Sequence, residues 1–116
     1  MSWNKGLGLL TLIALLGCSM QQPTMTAAVC PAHPDHPLRF VEVFDGAPSD
    51  MASLVPDQPG ASAGYWQLGH VYDAGRFVTV RCKYADGKVS DTKLPNKINR
   101  CDYTIDSKKI LKLDCK

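Results

Sequence analysis

The clearest alternation in the chain runs from Phe77 to Tyr84, where Val78, Val80, Cys82 and Tyr84 interleave with Phe77, Thr79, Arg81 and Lys83. Period-two spacing of this kind predicts a strand with one buried face. Asp86-Gly87 follows as a hairpin signal, and a two-residue turn there sets Tyr84 opposite Val89 on the returning strand. Leu38 to Phe44, rich in β-branched and aromatic residues, predicts an earlier strand that stops at Asp45-Gly46-Ala47-Pro48, four residues with turn chemistry. Ser49 and Asp50 offer a cap for one short helical turn through Met51, Ala52 and Leu54 before Pro56 ends it. Asp57 to Gly64 holds two glycines, a proline and two alanines, has nothing large to bury, and predicts a mobile loop. Tyr65 to Tyr72 puts Trp66 and Leu68 on one side and predicts a further strand, ended by Asp73-Ala74-Gly75.

At the C-terminus the register of a second hairpin follows from residue type. With Ser107, Lys108 and Lys109 as its loop, Ile105 faces Leu111, Tyr103 faces Leu113, and Cys101 faces Cys115. A slip of one residue would carry Leu111 and Leu113 to the face opposite Tyr103 and Ile105, so the apolar pattern opposes it. The fold class expected is therefore mainly β: a small antiparallel sheet of hairpins with at most one short helical turn.

Ahead of this domain the pattern changes to a continuous apolar run. Lys5 supplies a positive start, Leu7 to Leu16 an apolar stretch, and Gly17-Cys18 a small residue followed by a thiol, the layout of an export signal. Gln21, Gln22 and Pro23 end the run at about half the 20 or so residues that a membrane-spanning helix needs. Leu15-Leu16-Gly17-Cys18 resembles the lipobox of bacterial lipoproteins, whose cysteine is lipidated and becomes the mature N-terminus. Simple secretion with cleavage after Ala28 is the alternative. Cysteine parity favours lipidation: of five cysteines, using Cys18 as anchor leaves Cys30, Cys82, Cys101 and Cys115, an even set suited to an oxidising compartment. The organisation expected is a signal peptide over 1–17, a lipidated tether over 18–29 and a single domain over 30–116. A domain this small has a modest core, so cross-links matter. Four cysteines allow three pairings. The hairpin register joins Cys101 to Cys115, and elimination joins Cys30 to Cys82.

Charge divides along the chain. Residues 18–75 carry one basic side chain, Arg39, against six acidic ones, while residues 76–116 carry eleven against five. Such a division either steers a charged partner or neutralises itself in the folded domain. Nucleic acid does not fit as partner, because the lysines and arginines lack interleaved aromatic residues.

Candidate chemistry is sparse. His33, Asp35 and His36 lie beside Cys30, yet Cys30 to Pro37 contains three prolines and must be extended, so the metal reading gives way to a solvated lead-in. No nucleophile elbow, His-Glu-x-x-His or glycine-rich phosphate loop occurs, so neither catalytic residue nor cofactor is assigned. Trp66 reads as core, and Tyr65, next to the loop, as a contact residue. Asp45, Asp50 and Asp57 lie in turns, where aspartate is common for local hydrogen bonding, and they are also the acidic residues best placed to meet a partner.

Cys30-Pro31, Val43-Phe44-Asp45-Gly46-Ala47-Pro48, Ala52-Ser53-Leu54-Val55-Pro56-Asp57, Trp66, Cys82-Lys83-Tyr84-Ala85, Leu94-Pro95, Cys101 and Cys115 together span almost the whole expected mature chain. In these residues it resembles a family of small exported, disulfide-paired proteins of Gram-negative bacteria associated with type VI secretion regions. Some members of that family resemble immunity proteins that bind and block a peptidoglycan-targeting effector. The resemblance implies a non-enzymatic envelope protein whose partner is a peptidoglycan-active effector or other cell-wall enzyme. Asp45, Asp50, Asp57 and Tyr65 are its expected contacts, and a lipid at Cys18 is its link to the membrane. A structural or assembly lipoprotein and an inhibitor of host lysozyme are the alternatives. Ser19, rather than an aspartate, follows Cys18, and by resemblance to other lipoproteins this implies sorting to the periplasmic side of the outer membrane.

Metabolic labelling with a palmitate analogue is expected to mark the wild-type protein and not Cys18→Ala. A mature N-terminus at Val29 would replace the lipidated product with the simply secreted one.

Overall fold

The structure is a computed structural model and describes residues 28–116. The expected signal peptide over 1–17, the lipidation residue Cys18 and the tether as far as residue 27 lie outside the described residues. In chain order the elements are β1 (Leu38–Asp45), a 3₁₀ turn (Pro48–Asp50), β2 (Ser53–Leu54), β3 (Ala63–Gln67), α1 (Gly69–Asp73), β4 (Val78–Tyr84), β5 (Val89–Leu94), β6 (Arg100–Ile105) and β7 (Leu111–Cys115). They form two antiparallel sheets, one ordered β2-β1-β4-β5 and the other β3-β6-β7.

One core serves both sheets. Val41, Val43, Val78, Val80, Cys82 and Tyr84 from the first meet Trp66, Cys101, Tyr103 and Leu111 from the second, with Leu68 and Val71 of the α1 region closing one side. The alternation in β4 is realised as read, with Val78, Val80, Cys82 and Tyr84 all inward. Its outward residues are also used. Arg81 covers the Phe44 ring at 5.5 Å and Lys83 approaches that of Phe40 at 5.6 Å, cation over aromatic face.

The C-terminal hairpin has the register that its apolar pairs demand: Cys101 opposite Cys115, Tyr103 opposite Leu113, Ile105 opposite Leu111. Asp106 and Ile110 close a loop of Ser107, Lys108 and Lys109, in which Lys109 takes φ 65° without being glycine. Asp106 makes that turn possible by accepting from the N–H groups of Lys108 and Ile110 at 2.8 and 3.0 Å. The Ile110 bond comes first among the causes that hold its carboxyl below the usual range. Both disulfides join the expected partners, Cys30 to Cys82 and Cys101 to Cys115.

Three local readings change. Tyr65 to Tyr72 is not one strand: β3 ends at Gln67, and Gly69–Asp73 turns into α1. What stops the helix is Gly75 at φ 81°, whose N–H bonds Tyr72 while that of Arg76 reaches back to Val71, a Schellman cap. Leu68 and Val71 are three apart and both fully buried, a helical spacing hidden under the Trp66, Leu68, His70, Tyr72 alternation. The β4–β5 connection has three loop residues, not two. Lys83 pairs with Val89, the Tyr84 N–H bonds Lys88 O, and Gly87 sits at φ 87°, the geometry of a turn followed by a glycine bulge. Val89 therefore points outward, 55% exposed, instead of into the core beside Tyr84. The helical turn at Ser49 ends at Asp50, since Met51 takes φ 59° and Ser53–Leu54 joins the sheet as β2.

Removing either member of the Cys101–Cys115 pair is expected to cost about 2 to 5 kcal/mol, read as a lower urea midpoint under non-reducing conditions. Serine at both positions should cost about as much as serine at one, because the bond is lost once.

Candidate functional site

The segment after β2 straps the two sheets together. β2 stops after two residues because continuing its register with β1 would set Pro56, which has no N–H, against Val41. The chain then crosses to the other sheet. Asp57 and Gln58 donate their N–H groups to Tyr65 O at 2.9 and 3.3 Å, and Tyr65 N–H bonds Gln58 O in return. Between Asp57 and Gly64, expected as a mobile loop, the backbone is held at Gly60. The Tyr103 hydroxyl accepts from the Gly60 N–H at 3.0 Å and donates to its carbonyl at 2.7 Å. Gly64 permits this approach, since a Cβ there would lie 2.6 Å from the Tyr103 ring and closer still to Gln58 O. Trp66, buried as expected, donates its indole N–H to Leu54 O at 3.0 Å and so ties the strap from beneath.

Because the strap leaves β1 early, it stands away from the sheet and leaves a groove of about 440 Å³. Trp66, Tyr103, Ile105 and Leu111 form its floor, with Phe40 on one wall and Val55 on the other. Phe40 is 53% exposed and Val55 80%, so the rim is apolar and open to solvent. Exposed apolar rims around a concave floor mark interaction sites more often than chance surface.

One end of the groove is strongly basic. Arg39, at the irregular start of β1, donates to the carbonyls of Lys108 and Lys109 at 2.8 and 3.0 Å. That contact brings the cationic β6–β7 loop beside the wall residue Phe40 and the floor residue Ile105. Among the described residues Arg39, Lys108 and Lys109 form no salt bridge. Asp106, the acid within this group, spends its carboxylate on the turn.

The four residues expected as partner contacts separate into two pairs. Asp45 and Asp50 flank the turn after β1, and Asp57 and Tyr65 meet at the β3 edge. Asp45 forms a two-pronged pair with Arg76 at 2.7 and 2.9 Å, and this hydrogen bonding lowers its carboxyl below the ordinary value. The Asp57 carboxylate accepts from Gln67 N–H at 2.6 Å, and the Tyr65 ring lies under the Arg100 guanidinium at 3.6 Å, which itself pairs with Asp102. Asp50 is exposed. The lead-in histidines go separate ways: the His33 ring packs on Tyr84 at 4.2 Å, and His36 faces Asp86 at 3.8 Å. Missed by the sequence reading were the groove, Arg39, Phe40, Val55 and the lysines of the β6–β7 loop. The one signal available for them was the excess of basic residues after residue 75.

The lowered carboxyl of Asp45 makes the folded state bind that proton less tightly than the unfolded chain does. Its stabilisation is therefore full above the unfolded value near 3.8 and is lost as pH falls through the lower folded value. Thermal unfolding should find Asp45→Asn less stable than wild type at neutral pH, with the gap closing in acid.

No curated protein and no solved structure matches the chain. Residues 32–116, nearly all of the folded domain, match the family model described as Type VI secretion system Tli immunity protein, and the chain belongs to that family.

Proposed function

We propose that the protein acts in the periplasm, anchored to the outer membrane by lipid at Cys18, and neutralises one type VI secretion effector by binding over its working surface. Membership of an immunity family, carried by residues 32–116, is the observation on which this reading rests. Occlusion, with no chemistry of its own, suits the strapped groove. A surface already ordered before binding loses little conformational entropy on forming a complex. The effector expected is peptidoglycan-active, in line with the envelope address read from Lys5 to Cys18.

Asp50 keeps its role as an acidic contact in this proposal. Asp45, Asp57 and Tyr65, engaged within the domain, would act mainly by shaping the surface around it. β1 separates Asp50 from Arg39 by roughly 20 to 25 Å, so a partner lying along β1 meets a negative end and a positive one. Such a pattern fixes orientation and speeds encounter more than it adds affinity.

Directing the neighbouring effector to the periplasm, with and without this protein, tests the reading. Growth restored by co-expression is the expected result, and unchanged killing would remove the immunity function. The product of the unopposed effector identifies its target. Soluble wall fragments would support the peptidoglycan class, and free fatty acids from membrane lipid would replace it while leaving neutralisation in place.

A further inference from the structure

The folded domain answers part of its charge with ion pairs, so where the unpaired charges gather is informative. Six ion pairs are formed among the described residues: His36–Asp86, Arg76–Asp45, Arg81–Asp91, Lys83–Glu42, Lys97–Asp73 and Arg100–Asp102. At one end of the apolar groove Arg39 meets Lys108 and Lys109, and the carboxylate beside them, that of Asp106, is spent on the N–H groups of Lys108 and Ile110. Arg39 does not disperse this charge but concentrates it, since its guanidinium is fixed onto the carbonyls of two of the lysine residues. Like charges held close are unfavourable, and a fold under no other demand would separate or neutralise them.

We propose that the groove and its basic end form a single recognition surface, and that the occupant is an acidic segment of the effector carrying one apolar anchor. This rests on the immunity reading and deepens it by naming the surface and the chemistry of its ligand. The anchor enters between Phe40 and Val55 onto the floor of Trp66, Tyr103, Ile105 and Leu111. Its acidic neighbours meet Arg39, Lys108 and Lys109. The two features are contiguous, because Phe40 follows Arg39 in β1 and Ile105 leads directly into the lysine loop. A buried apolar anchor ringed by complementary charge is the usual organisation of a tight protein interface. The charged end would supply encounter rate and orientation, and the groove would supply residence time.

The test pairs the full-length protein, purified in detergent, with the effector encoded beside it and measures association and dissociation at two salt concentrations. Val55→Asp should weaken binding about 30-fold or more, through faster dissociation. Lys108→Glu with Lys109→Glu should slow association about tenfold and flatten its salt dependence. Val89→Asp makes the same chemical change at another exposed valine, on β5, and Lys88→Glu reverses a charge at the other hairpin; both should bind as wild type does. Unfolding midpoints of all variants, compared with wild type, separate lost contact from lost fold, and if Val55→Asp unfolds the domain, Val55→Ser takes its place. Wild-type binding that the groove and lysine variants leave intact overturns this surface but keeps the immunity reading. Failure of wild type to bind at all overturns both. If sedimentation shows a self-associated protein that these same variants dissociate, the groove belongs to a second copy of the chain and the effector assignment falls.

Discussion

Two hydrogen-bonded contacts, Trp66 Nε1–H to Leu54 O and Tyr103 O–H with Gly60, are the constraint on which the shape of this domain depends. The two sheets share no strand, so their relative position rests on the common core and on whatever crosses between them. The strap from Ser53 to Gln58 crosses at the open side, where it pairs with β1 at one end and with Tyr65 at the other. Without the indole and phenol bonds it would be a surface loop carrying exposed Val55 over a gap. With them it is a fixed wall, and the gap is a groove of defined width. Each bond contributes about 1 kcal/mol net, so their importance lies in geometry more than in energy.

The core is also closed covalently. Cys30–Cys82 ties the proline-rich lead-in across the middle of β4, and the Tyr84 hydroxyl donates to Pro31 O at 2.6 Å beside it. Burial raises that phenol's pKa, which keeps the donor in place. Cys101–Cys115 locks the base of the β6–β7 hairpin, whose other end presents the lysine loop. Neither disulfide lines the groove, and the strap that walls it is held by weaker, more adjustable contacts.

What was legible in the sequence was whatever short-range pattern controls. The β6–β7 register could be derived because apolar residues had to face apolar ones and cysteine had to face cysteine. The strand alternation of β4 and the turn at Asp45 to Pro48 follow from the same local rules. α1 was not legible, because the five-residue helix buries only Val71, with Leu68 at its N-cap, and a single turn carries too few positions to separate a period of 3.6 from one of 2. The β4–β5 turn turned on one torsion, since Asp86-Gly87 serves a two-residue loop or a three-residue loop with a glycine bulge equally well. The second sheet and the groove lay beyond reach for a different reason. They arise from contacts such as Gly60 to Tyr103 and Arg39 to Lys108, 43 and 69 residues apart, for which no periodicity leaves a trace.

The site assignment shows how a composition signal can be read with the wrong sign. Acidic residues dominate the first half of the domain, and Asp45, Asp50 and Asp57 stand out as charges without evident structural purpose. In the folded chain two of the three have such a purpose: Asp45 holds Arg76 and Asp57 holds the backbone of Gln67. Internal pairing takes up acids and bases from both halves, and because bases are in excess after residue 75, the charge left without a carboxylate partner is largely basic. Part of it gathers where Arg39, the lone Lys or Arg between residues 18 and 75, meets the lysine loop. A domain this small has little stability to spare. Keeping Arg39, Lys108 and Lys109 together beside an exposed apolar groove makes physical sense when a partner relieves both the repulsion and the apolar exposure. An immunity protein, which works only in its complex, has such a partner.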